Sequence, residues 1–423
     1  MPDRIPLAIV GCGGMGHRHL FGLAELQRAG LSPFDLVAAC DPVEANAVSL
    51  AGEAERLQGS RPAVVADLDG VASAGAVALD VTTSPRSHHT IACGAFGRGW
   101  HAMVEKPMGL TVRACRLITD AAAAAGTVLS VAENYRRDPM NRLGKALLQS
   151  GAIGAPRLMI HHSIGGGDQM LISVWRHMKN DSGVMLDVGT HYTDIFEFYL
   201  GEATSLYAQT RLHEKVRFNP HAGRDVDPAK VTSPGGVYEK WQKEMPGEFE
   251  PTADDAGYAT IQFASGAVGQ YVLDRAGHGR GIWERAIYGS KGSIDLPGDR
   301  SGRRLCLHID GDAIDDERLL DIVPDFELDE VTSALFGGKR LFEYDFPFDE
   351  TDRKLLAVEY ADFGDAILGK SPAEVDGQAG TRAVALSYAL MESQAAGRAV
   401  TAGEVLEDRT NAYQQEINES LGV

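Results

Sequence analysis

The chain has 423 residues, of which 44% are hydrophobic, and a formal net charge of −19 at pH 7. This length exceeds what one hydrophobic core usually serves, so the sequence predicts two domains. The negative charge repels polyanions, which argues against nucleic acid or an anionic membrane surface as the main partner.

The five cysteines are scattered and lack C-x-x-C spacing. This pattern predicts reduced thiols and a cytoplasmic protein. Neither an H-E-x-x-H string nor a Cys/His cluster is present, so we expect no metal site. The first apolar run, residues 7–10, is too short for a signal peptide, and no later run approaches the length that spans a membrane.

From residue 5 to about residue 135, short β-branched runs alternate with longer amphipathic segments. The predicted strands are residues 5–10, 36–40, 63–65, 77–82, 102–105 and 128–132, and the predicted helices are residues 15–28, 43–55, 88–96 and 111–125. Such alternation is typical of α/β proteins and predicts a parallel, doubly wound sheet in a first domain, residues 1–138.

The pattern changes after residue 140. A helix is predicted to end at Gly151, and a strand-rich region begins at residue 157. Strands are predicted at residues 157–163, 258–265, 267–273, 285–289 and 305–309, and helices at residues 183–199, 354–367 and 380–395. These elements predict an α+β second domain, residues 139–423, with an open, mainly antiparallel sheet. Two insertions, near residues 212–255 and 310–349, resist assignment. Each is either a lid or arm or a solvated surface excursion, and the sequence leaves both open.

A glycine-rich loop follows the first predicted strand and opens the first predicted helix. It consists of Gly11, Gly13, Gly14, Met15 and Gly16, with Cys12 between the first two glycines. In this context a Gly-x-Gly-x-x-Gly motif permits a tight turn and lets a pyrophosphate approach the helix N-terminus. The loop therefore predicts a Rossmann-type dinucleotide-binding domain.

Asp41 follows the second predicted strand, where a carboxylate can accept hydrogen bonds from the adenosine ribose hydroxyls. It would also repel a 2'-phosphate, so it favours NAD over NADP. The alternative is that Asp41 is an ordinary turn residue before Pro42.

Two further strings carry titratable groups. Lys106 lies in Glu105-Lys106-Pro107 at the carboxyl end of a predicted strand, where ligands of such sheets bind. Asp187 and His191 are four residues apart on a predicted helix and therefore share one face. A lysine, an imidazole and a carboxylate are suited to proton transfer from a hydroxyl. Taken singly, Lys106 could be an ordinary surface residue, and the Asp187/His191 pair a surface ion pair or a satisfied core histidine.

Taken together, these residues make the chain resemble the Gfo/Idh/MocA oxidoreductase family over most of its length. The resemblance also rests on Ser84-Pro85 with His89, on Glu133-Asn134-Tyr135-Arg136, and on the final segment at residues 380–397. It implies that Lys106, Asp187 and His191 are catalytic. It further implies that Ser84, His89, Glu105, Lys106 and Asn134 line the NAD cleft, that Pro107 is a cis proline, and that the protein is a homo-oligomer, either a dimer or a tetramer.

Candidate substrate residues lie between the predicted domains. They are Tyr135, Arg136, Trp175, Arg176 and His177, together with Asp187 and His191. Trp175 could stack on a sugar ring, and a guanidinium suits an acidic group. We therefore expect a small-molecule carbohydrate substrate, which could be neutral or anionic. Lys179 and Arg137 fit a solvated basic loop better.

Three functions remain open at this stage. The first is an NAD-dependent dehydrogenase in which His191 takes the proton of a secondary hydroxyl of a sugar or cyclitol, while Lys106 hydrogen-bonds the same oxygen. Lys106 could exchange roles with His191 if burial lowers its pKa. The second is an NAD-dependent glycoside hydrolase that oxidises its substrate transiently, and the long insertions slightly favour its larger substrate. The third is a non-catalytic regulator that binds a sugar or NAD.

Overall fold

The computed structural model describes residues 4–225, 227 and 234–423. Its chain forms two compact units. Unit 1 comprises residues 1–134, 224–243 and 352–381, and unit 2 comprises residues 135–223, 244–351 and 382–423. The sequence-based division at residue 138 is a single cut and differs from these units, because residues 224–243 and 352–381 pack with the N-terminal part of the chain.

Unit 1 is built on a parallel sheet. Its strands and helices alternate in the order β1 (Ile5–Val10), α1 (Gly14–Arg28), β2 (Phe34–Cys40), α2 (Glu44–Gln58), β3 (Ala63–Val65), α3 (Leu68–Ser73), β4 (Ala78–Val81), α4 (Pro85–Phe96), β5 (His101–Glu105), α5 (Val112–Ala125) and β6 (Leu129–Ala132). Among the described residues the six strands pair in the order β3-β2-β1-β4-β5-β6, all parallel. This is the doubly wound order of dinucleotide-binding domains, and the predicted sheet is confirmed.

Local sequence explains why these helices begin and end where they do. The Thr111 side chain accepts a hydrogen bond from the Ala114 amide and caps α5, whose alanine run favours helix. Gly126 ends that helix in the left-handed conformation. Helix α4 begins at Pro85, three residues before its predicted start, because proline suits the first helical position.

Unit 2 is built on a mixed sheet. The chain from residue 135 to residue 223 forms a 3-10 turn (Tyr135–Arg137), α6 (Pro139–Gln149), β7 (Pro156–Ile164), a second 3-10 turn (Val174–His177), α7 (Val184–Asp187), α8 (Gly189–Leu200), β8 (Ala203–Arg211) and β9 (Arg217–Phe218). The next segment forms α9 (Pro234–Gln242), which packs with unit 1, β10 (Glu248–Phe249), β11 (Ala256–Phe263), β12 (Val268–Asp274), β13 (Ile282–Gly289), β14 (Gly292–Leu296) and β15 (Cys306–Ile309). The remaining elements are β16 (Asp312–Ile314), α10 (Arg318–Ile322), α11 (Glu330–Phe336), α12 (Phe348–Ile367), α13 (Gly377–Ala396), β17 (Val400–Thr401), α14 (Ala402–Leu406) and α15 (Gln415–Leu421). Of these, residues 352–367 of α12 and residues 377–381 of α13 belong to unit 1.

In the described residues the large sheet has the strand order β16-β15-β14-β13-β7-β12-β11-β8-β17, with β7 and β12 parallel and the other pairs antiparallel. The predicted mainly antiparallel sheet is therefore confirmed. One face packs against α8, where Phe196 of the helix stacks on Phe263 and contacts Tyr271. These rings are buried and belong to the core of unit 2.

The two unassigned insertions contain regular elements. The first holds β9, α9 and β10, and β9 pairs with β10 in an antiparallel ribbon. The second holds β16, α10 and α11. No helix in the part of the chain that the structure describes is long and apolar enough to cross a membrane.

Candidate active site

The glycine loop connects β1 to α1, and backbone contacts require two of its glycines. Gly11 has φ +101°, and a Cβ there would lie 2.7 Å from the Thr83 nitrogen. A Cβ at Gly16 would lie 2.2 Å from the Gly11 carbonyl oxygen. Among the residues that the structure describes, no side chain caps helix α1, and its first turn holds no acidic residue. The uncapped N-terminus of a helix suits an anionic pyrophosphate.

Asp41 lies directly after β2 and is buried. Its carboxylate accepts hydrogen bonds from the backbone amides of Cys12 and Val43, both at 2.8 Å. The first bond ties the carboxylate to the glycine loop, and the second forms the turn before α2. Each oxygen retains a further lone pair, so both the ribose role and the turn role are compatible with this geometry.

The segment after β4 also reaches the sheet edge. Ser84 precedes α4 without capping it, and its hydroxyl faces that of Ser87 at 3.4 Å. His89 is half-buried and its Nε2 lies 3.3 Å from the Thr90 hydroxyl. The neighbouring His88, which the sequence analysis did not single out, is fully buried.

His88 connects two loops of the sheet edge. Its Nδ1 lies 3.1 Å from the Pro107 carbonyl oxygen and its Nε2 lies 3.1 Å from the Thr83 carbonyl oxygen. Burial lowers the pKa of His88, so the imidazole is neutral and donates to one carbonyl at a time. The adjacent His88-His89 pair was the available signal, but sequence alone did not show which ring points inward.

Lys106 follows β5 at the carboxyl edge of the sheet, and the Lys106–Pro107 peptide bond is cis, as the resemblance implies. Glu105 is buried at the end of the strand. Asn134 lies two residues after β6, and its Oδ1 atom is buried with no hydrogen-bond partner among the described residues. A buried amide oxygen without a partner fits a group that receives a bond from a bound cofactor.

Beneath Glu105 is a cluster of buried charges that the sequence analysis also missed. His19 Nδ1 lies 3.0 Å from Asp80, and His19 Nε2 lies 3.5 Å from Glu105. Tyr360 donates a hydrogen bond to the Asp80 carboxylate. Burial alone would lower the pKa of His19, but Asp80 and Glu105 outweigh burial and raise that pKa well above its usual value. The imidazolium in turn helps to hold the pKa of Glu105 below its usual range against the opposing effect of burial.

In unit 2, Asp187 and His191 lie on a nearly continuous helical segment. Helix α7 ends at Asp187 and α8 begins at Gly189, so the single predicted helix is interrupted at Val188. Val188 keeps helical angles (φ −86°, ψ −37°), which preserves the spacing of one turn between the two side chains. The His191 ring stacks on Tyr135 with centroids 4.1 Å apart and planes within 5°.

The string Trp175-Arg176-His177 forms a 3-10 turn. Arg176 is buried, its Nε lies 3.5 Å from Asp187 Oδ2, and its guanidinium covers the Trp175 ring at 4.8 Å. Ile172, just before this turn, has φ +59°, which is rare for a β-branched residue and is typical of functional loops.

His177 is a structural residue in this arrangement. Its Nε2 accepts a hydrogen bond from the Leu171 amide at 2.8 Å. Burial lowers the pKa of His177 to about 3, and Arg217 and Arg176 contribute. A buried, neutral imidazole that bonds to a backbone amide is poorly placed to bind a substrate.

Arg136 forms two hydrogen bonds with Asp194 on α8, of which Nε to Oδ2 measures 2.8 Å. A residue not expected from the sequence lies nearby, namely Arg300, whose guanidinium is 5.2 Å from the centre of the Tyr135 ring. Arg300 has φ +61°. Tyr135 therefore contacts both a cation and His191, and Arg136 and Arg176 pair with carboxylates of the protein.

Lys106 and the glycine loop belong to unit 1, and the Asp187/His191 segment belongs to unit 2. Among the described residues, no group of three or more His, Cys, Asp or Glu side chains could hold a metal ion.

A dinucleotide-binding domain followed by an α/β domain with an acid–imidazole helix defines a two-domain oxidoreductase. Residues 5–133 match the sequence model described as oxidoreductase family, NAD-binding Rossmann fold, and residues 145–402 match that of the same family's C-terminal alpha/beta domain. The chain belongs to the Gfo/Idh/MocA oxidoreductase family, and its first domain is an NAD-binding Rossmann domain.

Relatives of known activity are similar to parts of the chain. Levoglucosan dehydrogenase of Pseudarthrobacter phenanthrenivorans is 30% identical over 51% of this chain and 54% of its own length. D-apiose dehydrogenase of Paraburkholderia graminis is 30% identical over 54% of this chain and 58% of its own length. The chain thus spans little more than half of the length of these relatives. The scyllo-inositol 2-dehydrogenase (NAD(+)) of Bacillus subtilis is 24% identical over 77% of this chain and 82% of its own length.

Solved structures are similar in fold along nearly the whole chain. Levoglucosan dehydrogenase in complex with NADH and L-sorbose has a TM-score of 0.70 at 21% identity, covering 95% of this chain and 100% of that chain. An NAD-binding oxidoreductase from Klebsiella pneumoniae has a TM-score of 0.73 at 21% identity, covering 94% of this chain and 99% of that chain.

Proposed function

We propose that this protein is an NAD-dependent dehydrogenase of a secondary hydroxyl on a sugar, sugar derivative or cyclitol. The observation that carries the proposal is the helical segment of unit 2, which fixes Asp187 against Arg176 and His191 against Tyr135. The relatives named levoglucosan, D-apiose and inositol dehydrogenases support this substrate class.

In the proposed mechanism, bound NAD+ supplies the hydride acceptor. His191 takes the proton of the substrate hydroxyl. The carbon that bears this hydroxyl gives up a hydride to the acceptor, so that the alcohol becomes a ketone. Lys106 donates a hydrogen bond to the same oxygen as it becomes a carbonyl. Asp187, held by Arg176, binds a neighbouring hydroxyl. Asp41 binds the adenosine ribose and selects NAD over NADP.

The ion pairs of unit 2 bear on the charge of the substrate. The sequence suggested that Arg136 or Arg176 could grip an acidic group. Both guanidinium groups contact carboxylates of the protein instead, Asp194 and Asp187 respectively. We therefore place neutral sugars and cyclitols before anionic ones in the order of substrates to test.

We further propose that the protein is cytoplasmic and forms a homo-oligomer, either a dimer or a tetramer. Light scattering would test the oligomeric state.

The experiment that tests the function combines two assays on one panel. Purified protein is incubated with NAD+ and with sugars, cyclitols and aryl glycosides, and both NADH absorbance and released aglycone are recorded. Net NADH formation with a free sugar or cyclitol supports the dehydrogenase. Aglycone release without NADH accumulation would indicate the NAD-dependent glycoside hydrolase, and binding of sugar or NAD without either product would indicate a regulator.

A further inference from the structure

Helix α9 has no part in the chemistry proposed above, yet it packs on the dinucleotide-binding unit. It lies in the 212–255 insertion between β9 and β10, which pair with each other. Residues 224–243 belong to unit 1, although the chain on both sides of them belongs to unit 2. The insertion therefore delivers a helix to the unit that binds NAD.

The first contact of α9 is with the glycine loop itself. The Tyr238 ring lies against Gly14, its hydroxyl accepts a hydrogen bond from Arg18 at 3.3 Å, and that hydroxyl lies 3.8 Å from the Met15 sulfur. Arg18 is held in place by two hydrogen bonds to the buried Asp352. Tyr238 therefore sits on the first turn of α1, whose amides are those expected to face the pyrophosphate.

The contact with Tyr238 explains why residue 14 is a glycine, although the backbone conformation of the turn does not require one there. Gly11 and Gly16 are constrained by backbone atoms, whereas Gly14 has no positive φ. A Cβ at Gly14 would lie 2.5 Å from two ring carbons of Tyr238. The loop thus lacks a side chain at the position where the Tyr238 ring lies.

A second contact joins α9 to α2 and to the same loop. Lys240 donates a hydrogen bond to the Ser49 hydroxyl at 3.1 Å, and that hydroxyl lies 3.3 Å from His17 Nε2. His17 Nδ1 lies 3.0 Å from the Gly13 carbonyl oxygen, to which it must donate. Burial lowers the pKa of His17, so Nε2 is an acceptor and the Ser49 hydroxyl donates to it. Hydrogen bonds therefore run in one direction, from Lys240 through Ser49 and His17 to the Gly13 carbonyl oxygen.

Trp241 completes the bridge. Its Nε1 atom lies 3.4 Å from Asn46 Oδ1, and its ring meets His17 edge-on with centroids 5.8 Å apart. The contacts of α9 therefore fall on the first two turns of α1 and of α2. These turns follow the glycine loop and Asp41, the two places that a bound dinucleotide is expected to use.

We propose that helix α9 forms a wall of the NAD site, and that Tyr238 and Trp241 slow the dissociation of the cofactor. Release of the dinucleotide then requires the Tyr238 ring to leave Gly14. This inference concerns retention of the cofactor and holds for any of the three functions considered above.

The first test measures the dissociation rate of NADH from the full-length protein by stopped-flow fluorescence, with excess NAD+ as competitor. Because changes at a binding surface act mostly on dissociation, Tyr238→Ala should raise this rate at least about tenfold and Trp241→Ala by a smaller factor. Tyr238→Phe keeps the ring and should stay within about threefold of wild type. Tyr288→Ala removes an exposed tyrosine from β13 and is the matched control, with an unchanged rate.

A double-variant comparison separates contact with Tyr238 from other roles of Gly14. Gly14→Ala should raise the dissociation rate as Tyr238→Ala does. In the Tyr238→Ala background the same change should have little further effect, because the ring it meets is gone. If Gly14→Ala acts equally in both backgrounds, the glycine serves the cofactor directly and the contact with Tyr238 does not explain it.

Hydrogen exchange offers a second test on the wild-type protein, and its result does not depend on whether a variant folds. Amide hydrogen exchange of a peptide that covers residues 236–243 should slow at least about fivefold when NAD+ is added, because a bound cofactor stabilises the wall that contacts it. Unchanged exchange of this peptide, or wild-type dissociation rates in folded Tyr238→Ala and Trp241→Ala proteins, would overturn the proposal and leave α9 as a structural cover.

Discussion

Replacing Asp80 with Asn tests how strongly the buried ion pair between His19 and Asp80 stabilises the protein. The side chains of His19 and Asp80 are fully buried and their closest approach is 3.0 Å. Removing one partner of a buried ion pair typically costs about 3–5 kcal/mol of stability, because the other charge is left without compensation. For domains of 150–250 residues this loss corresponds to a fall in Tm of roughly 6–20 °C.

Asp35→Asn is the matched control, because Asp35 forms an ion pair of the same length, 3.0 Å, with Arg4 on the surface. Those two side chains are 58% and 43% exposed, and such pairs contribute at most about 1 kcal/mol. Thermal unfolding of both variants and wild type, followed by circular dichroism, therefore compares a buried and an exposed aspartate in one unit. A Tm of Asp80→Asn no lower than that of Asp35→Asn would refute the reasoning.

The pH dependence of this effect has a definite sign. The folded protein holds the pKa of His19 well above the unfolded value of about 6.5. The stabilisation by the charged imidazole is therefore complete below pH 6.5 and declines as the pH rises through the folded pKa. Asp80→Asn should accordingly cost more stability at pH 6 than at pH 9. An equal or larger cost at pH 9 would show that His19 is not charged in the folded protein.

Three further predictions concern the site and its surroundings. Lys106→Ala should lower kcat by about 10²–10⁴-fold and leave NADH affinity within threefold, as equilibrium titration would show; normal turnover would exclude the proposed role. Gly16→Ala should weaken NADH binding at least about tenfold, because the new Cβ would meet the Gly11 carbonyl at 2.2 Å, whereas Gly403→Ala, with only a 4.0 Å contact, should leave it unchanged. His177→Gln should make the folded protein less sensitive to acid. The folded pKa of His177, about 3, lies below its unfolded value of about 6.5, so the wild-type protein loses stability as the pH falls below 6.5, by about 2 kcal/mol at pH 5. Urea titrations at pH 7 and pH 5 should therefore show a smaller loss of unfolding free energy in the variant.

The sequence predicted the sheet of unit 1 well because each of its strands is a short apolar run followed by a helical segment. It missed β8, whose inward residues include the small Ala203 and Ala208 and give little contrast between faces. It also missed α9, since the segment begins with Pro234-Gly235-Gly236 and its partners on α1 and α2 are about 200 residues away in sequence. Contacts between such distant segments leave no periodic signal.

The sequence could predict the candidate site only in part, because contacts between segments that are distant in sequence leave no local pattern. Motifs with fixed spacing single out Lys106, Asp187 and His191 as candidate catalytic residues, and these roles stay a prediction. Which ionic groups pair with each other depends on tertiary packing, so the sequence could not show that Arg136 and Arg176 contact Asp194 and Asp187. Likewise, helical spacing alone could not show that His191 stacks on Tyr135.

We propose that this protein transfers a carbon-bound hydrogen of a sugar or cyclitol to NAD+. Mass spectrometry of the cofactor after reaction with neutral sugars and cyclitols that carry deuterium on their ring carbons tests it directly. We expect one deuterium in the reduced nicotinamide with at least one substrate, and reduced cofactor that forms at least about 10²-fold more slowly with the Lys106→Ala variant. Sugars that bind but leave the cofactor oxidised and unlabelled throughout would contradict it.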